Sequence, residues 1–336
     1  MKKQREVNIE LLRLIAMGMI ILIHFMTHGL KLNIGFPTDT ASMGVVISVY
    51  GILCICVNLF VLISGYFGIR ITWKSVFKLW FTIYFYNILS SQLGVYLQQE
   101  NFSFDFNCLR DFFALEKGWW FIYAYLGLMF FSPILNKAFD NFSKKETLIS
   151  VALLSILEFY FGYVKQVSQI GFNAYSMLHL IYIYCLGRTI RVFSEELNQY
   201  RSKIKYLILV SYFAVLVCSI VDYRVGTFDY LAYKYHHPFV VLLSCSVFVW
   251  FKHLNINSES RFSRFLLWAS PSTLAIYLIH DNSITRPLIA QFVSSHFEGF
   301  FSINTILFWT TAWMTIFFGS ILFDRVRIFL LNRIIK

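Results

Sequence analysis

The chain has 336 residues, of which 58% are hydrophobic, 19% aromatic and only 14% charged. Soluble domains usually carry about 25% charged residues, so a water-soluble globular protein is excluded and an integral membrane protein is expected. The net charge of +11 raises the alternative of a nucleic-acid surface, which the placement of the charges argues against.

A helix needs roughly 17 to 25 apolar residues to cross the hydrocarbon layer. About ten such runs follow one another, near 9–29, 44–66, 76–97, 119–136, 147–163, 173–190, 204–221, 236–252, 270–290 and 304–323. The expected fold class is therefore all-α, a polytopic transmembrane bundle of about ten helices. An even number puts both termini on one side, which then holds 21 of the 29 basic residues, from Lys2, Lys3 and Arg5 to Arg333 and Lys336. Because Lys and Arg concentrate in cytoplasmic loops, both termini are expected to be cytoplasmic. The basic excess then reflects topology and contact with anionic lipid, with no nucleic-acid partner. Residues 1–336 read as one membrane domain with no appended soluble domain, internal repeat or cleavable signal.

The first run, "NIELLRLIAMGMIILIHFMTHG" (8–29), carries Glu10, Arg13, His24 and His28. Ionisable groups at membrane depth cost several kcal/mol unless they face a protein interior or a wet cavity. At about 100° per residue, all four fall on one stripe, Arg13 and His24 within about 20° of each other. Their backbones are about 16 Å apart along the axis. Glu10 and Arg13, at i and i+3, are placed to pair. A neutral imidazole in the outer half of the helix suits a general base near neutral pH. Taken singly, each residue has an ordinary reading, with Glu10 and Arg13 snorkelling to the inner headgroups and His24 bonding a neighbouring helix. As an aligned set, they read as one wall of a path or site.

The rest of the chain offers weaker features. The segment at 98–118 is the longest polar connection, suited to a surface helix or a lid. The segment "DYRVGTFDYLAYKYHHP" (222–238) sets aromatic rings beside Asp222, Asp229, His236 and His237, which suits sugar stacking or an interfacial aromatic belt. The six cysteines show no metal-ligand spacing: Cys54 and Cys56 point about 200° apart on a helix, and all six read as small core residues. No metal site is expected. His280, followed by Asp281 in "YLIHDN", is read mainly as a structural hydrogen-bonding group, and His28 as a group beside His24 or on the acceptor side.

The stretch "IELLRLIAMGMIILIH" resembles the first-helix signature of the acyltransferase-3 family of integral-membrane O-acyltransferases. That signature has an acid three residues before an arginine and a histidine after ten more, positions held here by Glu10, Arg13 and His24. "VNLFVLISGYF" (57–67) is similar to the family's second-helix ending, carried by Ser64, Gly65 and Tyr66. "GWWFIYAYLGLMFFSPIL" (118–135) is similar to its tryptophan-led helix, and "STLAIYLIHDN" (272–282) to a late helix. These landmarks keep the family's order over most of the chain.

The resemblance implies transfer of an acyl group, acetyl foremost, from cytoplasmic acetyl-CoA to a hydroxyl of an extracytoplasmic or lipid-linked glycan. It implies His24 as the general base, with Glu10 and Arg13 completing the catalytic set and a transient acyl-histidine as the second route. The cationic Arg70, Lys74 and Lys78 are the candidates for holding the CoA phosphates, although topology alone also explains them. The family often has a closer pair of arginines here, where this chain has Arg70, Trp73 and Lys74. Ser64, Trp120, His28 and His280 are weaker candidates for substrate contact, against an ordinary helix terminus at Ser64–Gly65 and interfacial anchoring by Trp119 and Trp120. The expected location is the bacterial cytoplasmic membrane, with lipid and a glycan or lipid-linked sugar as partners. Oligomeric state, a homo-oligomer included, stays open. The rival is a multi-pass glycolipid or polysaccharide transporter or flippase without acyl-transfer chemistry. It gives no reason for the Glu–Arg–His register, and the chain shows no paired halves and only five prolines.

Overall fold

The computed structural model describes residues 5–32, 39–99, 119–171, 173–225 and 234–334, leaving aside the side chains of residues 98, 99 and 170. Among them the chain is helical without strands. In chain order the helices are α1 (Val7–His24, continued by a π-helical turn, Phe25–Gly29), α2 (Thr40–Leu53), α3 (Cys56–Phe67), α4 (Trp73–Gln99) and α5 (Trp120–Asn141). These are followed by α6 (Lys144–Ser155, continued by π-helical Ile156–Val164), α7 (Met177–Val192), α8 (Ser194–Gln199), α9 (Arg201–Val225) and α10 (Pro238–Lys252). The last are α11 (Arg261–Ala269), α12 (Thr273–His280), α13 (Thr285–Ser295) and α14 (Ile303–Ile334). Six stretches among the described residues are long and apolar enough to cross a membrane: 7–29, 40–67, 144–164, 201–225, 261–280 and 303–334. Helix α10 is apolar but shorter.

The chain forms two compact units. The first comprises residues 1–16, 39–70 and 121–268. Its centre is the packing of α3 on α7, where two glycines remove the side chains that would hold the helices apart. A Cβ on Gly65 would lie 2.2 Å from the Tyr184 carbonyl oxygen, and one on Gly187 would lie 2.6 Å from that of Leu62. Gly65 lies in the last turn of α3, as the reading of Ser64–Gly65 as a helix terminus expects, and the backbone it admits belongs to another helix. Gly68 ends α3 at φ 76°, a left-handed geometry that costs glycine little.

Glu158, in the run near 147–163, also finds its partner in this unit. Its Oε1 lies 2.6 Å from His179 Nδ1, and His179 Nε2 lies 3.0 Å from Asn58 Oδ1. The Asn58 amide nitrogen donates to the Tyr235 carbonyl at 2.9 Å and the Ser244 hydroxyl at 3.3 Å. Asn58 Oδ1 must therefore accept from His179 Nε2–H, while His179 Nδ1 faces the Glu158 carboxyl. Burying an ionisable group is tolerable when it is paired in this way.

His236 and His237 are both 4% exposed, and His237 caps α10 by accepting the Phe239 N–H at 3.2 Å. These two histidines are therefore not open to a sugar. Residues 226–233, with Asp229, and residues 100–118, with Cys108, lie outside the described residues. Cys54, Cys56 and Cys185 are buried as expected, whereas Cys218 and Cys245 are only partly so.

The second unit comprises residues 17–38, 71–120 and 269–336. Buried Asp324 in α14 is held by the Arg327 guanidinium at 2.5 and 2.8 Å and by the Tyr86 hydroxyl at 2.7 Å, while Arg327 also donates to Thr82 at 2.9 Å. Trp119 is fully buried and its indole nitrogen has no partner among the described residues, so it is not an interfacial anchor. The run near 270–290 is not one helix. Asn282 donates to the Leu278 and Ile279 carbonyls at 3.0 and 2.9 Å, ending α12. Its Oδ1 accepts from Ile284 and Thr285 N–H at 3.0 and 2.9 Å, starting α13. One asparagine thus supplies both caps, and Pro287 sits in the first turn of α13, where a missing N–H costs nothing.

Candidate active site

Helix α13 packs against the π-helical turn that extends α1, and Gly29 makes the approach possible because a Cβ there would meet Val293 at 2.4 Å. This docking brings the break between α12 and α13 to the histidines of α1. His24 Nδ1 lies 3.0 Å from His280 Nε2. His280 Nδ1 lies 2.5 Å from the Ile276 carbonyl oxygen, so it is the donor there. Asp281 Oδ1 is 3.6 Å from His24 Nδ1 and 3.9 Å from His28 Nε2. Arg286 donates to that carboxylate oxygen through Nε at 2.6 Å and to the Asp281 carbonyl through Nη2 at 3.1 Å. The His24 and His28 rings are 5.1 Å apart, as are those of His24 and His280.

Exposure separates the members of this cluster. His280 and Asp281 are buried, whereas the His24 and His28 side chains keep 18% and 33% of their surface. His24 Nε2 has no hydrogen bond among the described residues. The arrangement is an imidazole with one nitrogen unbonded among the described residues, the other held by a second imidazole, with an arginine-held carboxylate beside it. The donor atoms of His24, His28 and Asp281 lie within 4.8 Å of one another, a spacing open to a divalent cation. The Arg286 guanidinium already holds the Asp281 oxygen, and its charge opposes a cation beside it.

Glu10 and Arg13 form a pair of their own in the first unit. Arg13 Nε lies 3.5 Å from Glu10 Oε2; Glu10 is buried, and Arg13 keeps 34% of its side-chain surface. Arg13 Nε itself has no hydrogen-bond partner among the described residues. Ser64 bonds the Phe60 carbonyl at 3.0 Å and the Tyr125 hydroxyl at 3.1 Å, so its side chain is already committed. Trp120 is partly buried at the start of α5. Arg70 is exposed beyond α3, and Lys74 and Lys78 are exposed one turn apart at the start of α4.

Asp281 as His24's neighbour and Arg286 as its brace were not legible as site members in the sequence. The signal for the break was present, however. Asp-Asn-Ser followed by Pro287 is a stop-and-restart pattern inside an apolar run.

Comparison with known proteins adds the family. The family model described as an acyltransferase domain, Acyl_transf_3, matches residues 6–325. No curated protein and no solved structure gives a significant match.

Proposed function

Since the chain belongs to the acyltransferase-3 family and is a membrane acyltransferase, we propose that it moves an acetyl group from cytoplasmic acetyl-CoA to a hydroxyl of an extracytoplasmic or lipid-linked glycan, with His24 as general base. The observation that carries the proposal is the Nε2 of His24, unbonded among the described residues, on an imidazole whose other nitrogen is held by His280. A bare hydroxyl is a poor nucleophile. When His24 Nε2 takes its proton, the oxygen attacks the thioester carbonyl, the carbon–sulfur bond breaks, and the proton passes from His24 to the departing thiolate. The imidazolium formed in between lies 3.6 Å from the Asp281 carboxylate, which offsets part of its charge while also paired with Arg286.

Glu10 anchors Arg13, whose guanidinium has donor capacity to spare for negative charge on the donor. Arg70, Lys74 and Lys78 suit the CoA phosphates as exposed cations. In this reading both termini face the cytoplasm of a bacterium and the acceptor arrives from the opposite side. The second route, a transient acyl-histidine, uses the same nitrogen as nucleophile.

The test compares surface glycans by proton NMR in cells lacking the protein and complemented with wild type or His24→Ala at equal expression. Wild type should restore an O-acetyl signal and His24→Ala should not. Full restoration by His24→Ala sinks the role of His24. No signal in either case sinks the acetyl or glycan assignment, and thiol release from acetyl-CoA by purified protein then separates acyl transfer from transport.

A further inference from the structure

The hydrogen bonds behind His24 determine which of its nitrogens is the base. The Ile276 carbonyl is an acceptor only, so His280 must carry a proton on Nδ1. A second proton on Nε2 would make His280 a buried cation, and among the described residues no carboxylate pairs with its ring, whose nitrogens meet only His24 and the Ile276 carbonyl. His280 Nε2 therefore presents a lone pair, and the 3.0 Å contact is His24 Nδ1–H donating to it. His24 is held with its proton on Nδ1 and its free lone pair on Nε2, the nitrogen without a partner among the described residues.

We propose that His280 is a positioning residue that locks His24 in the Nδ1–H tautomer, with Asp281, held by Arg286, as the fixed counter-charge for the imidazolium that forms. This deepens the acyl-transfer reading and rests on it for its kinetic consequences, although the tautomer itself does not depend on it. His280 is a fixed acceptor and not a relay, because the chain of bonds ends at the Ile276 carbonyl, which takes up no proton. Nor is His280 a substrate ligand, because both of its ring nitrogens are engaged. Without the lock, part of the His24 population would carry its proton on Nε2 and be unable to accept one from the hydroxyl.

The first measurement is two-bond nitrogen–proton correlation NMR on full-length protein with nitrogen-labelled histidine, the His24 signals being those that vanish in His24→Gln. His24 should show the proton on Nδ1; a proton on Nε2 overturns the lock. The second is thiol release from acetyl-CoA, with water as the acceptor, by purified His280→Ala and His280→Gln. A glutamine can place its amide oxygen near the Nε2 position, where it accepts from His24. His280→Ala should lower kcat on the order of a hundred-fold, within the span of general-base catalysis, with KM for acetyl-CoA unchanged, and His280→Gln should recover at least about ten-fold of that loss. Equal kcat in both variants, whether both are lost or both wild-type, overturns the positioning role. If His280→Ala does not fold, the wild-type spectrum still decides the tautomer. If wild type releases no thiol, the acyl-transfer reading fails while the spectrum tests the lock independently.

Discussion

Replacing Gly65 by alanine adds one methyl group at the closest approach of α3 and α7, and the structure sets what it costs. The new Cβ would stand 2.2 Å from the Tyr184 carbonyl oxygen, where ordinary contact begins at 3.4 Å. The obstacle is backbone, which cannot swing aside as a side chain can, so the helices must open by about 1.2 Å. A gap of this size forfeits about half of each atom pair's attraction; if about forty pairs cross the seam at about 0.15 kcal/mol each, the loss is about 3 kcal/mol. That equals the upper end of the usual cost of overpacking, about 1–3 kcal/mol.

Equilibrium unfolding in mixed detergent micelles should show the folded-to-unfolded ratio falling by roughly a hundred-fold, at about 1.4 kcal/mol per factor of ten. Gly44→Ala and Gly319→Ala are the controls, because nothing lies within 4 Å of a Cβ at either position. Each should stabilise by up to about 1 kcal/mol through helix propensity alone. If Gly65→Ala unfolds like these controls, the close approach of α3 and α7 does not hold.

Asp324→Asn should cost about 3–5 kcal/mol in the same assay by leaving Arg327 without its counter-charge, while the double change Asp324→Leu with Arg327→Met should recover most of it; equal loss in both would refute the ion-pair argument. Asp39 caps α2 by accepting the Ser42 N–H at 2.7 Å, and that bond lowers its pKa below the ordinary 3.8. The unfolded chain then takes up the proton first, so the stabilisation is present above pH 3.8 and is lost as pH falls through the folded value. Asparagine caps equally well without titrating. Wild type and Asp39→Asn should therefore match in thermal midpoint at neutral pH, with wild type falling below the variant in acid; parallel acid profiles would rule out the linkage.

What the sequence determined about this protein is what depends on neighbours along the chain. Hydropathy over a window of residues marked the apolar runs, and helical spacing put Glu10 beside Arg13 and His24 beside His28, because i,i+3 and i,i+4 neighbours share a face whatever surrounds them. The ordered landmarks carried the family. Tertiary structure alone decided what those faces meet. His280 reaches His24 across 256 positions, and Asn58, Glu158 and His179 meet from three separate helical segments. Hydropathy is blind to such pairings in a membrane, since lipid tails are as apolar as a packed core. In α5, Leu128 is fully buried and Phe130, two residues on, is 77% exposed, yet both read as membrane residues. The break at Asp281–Ile284 lies between these cases. Its polar residues were visible in the sequence, but only the docking of α13 on the π-helical turn of α1 sets the resulting carboxylate and Arg286 behind a histidine in the first helix.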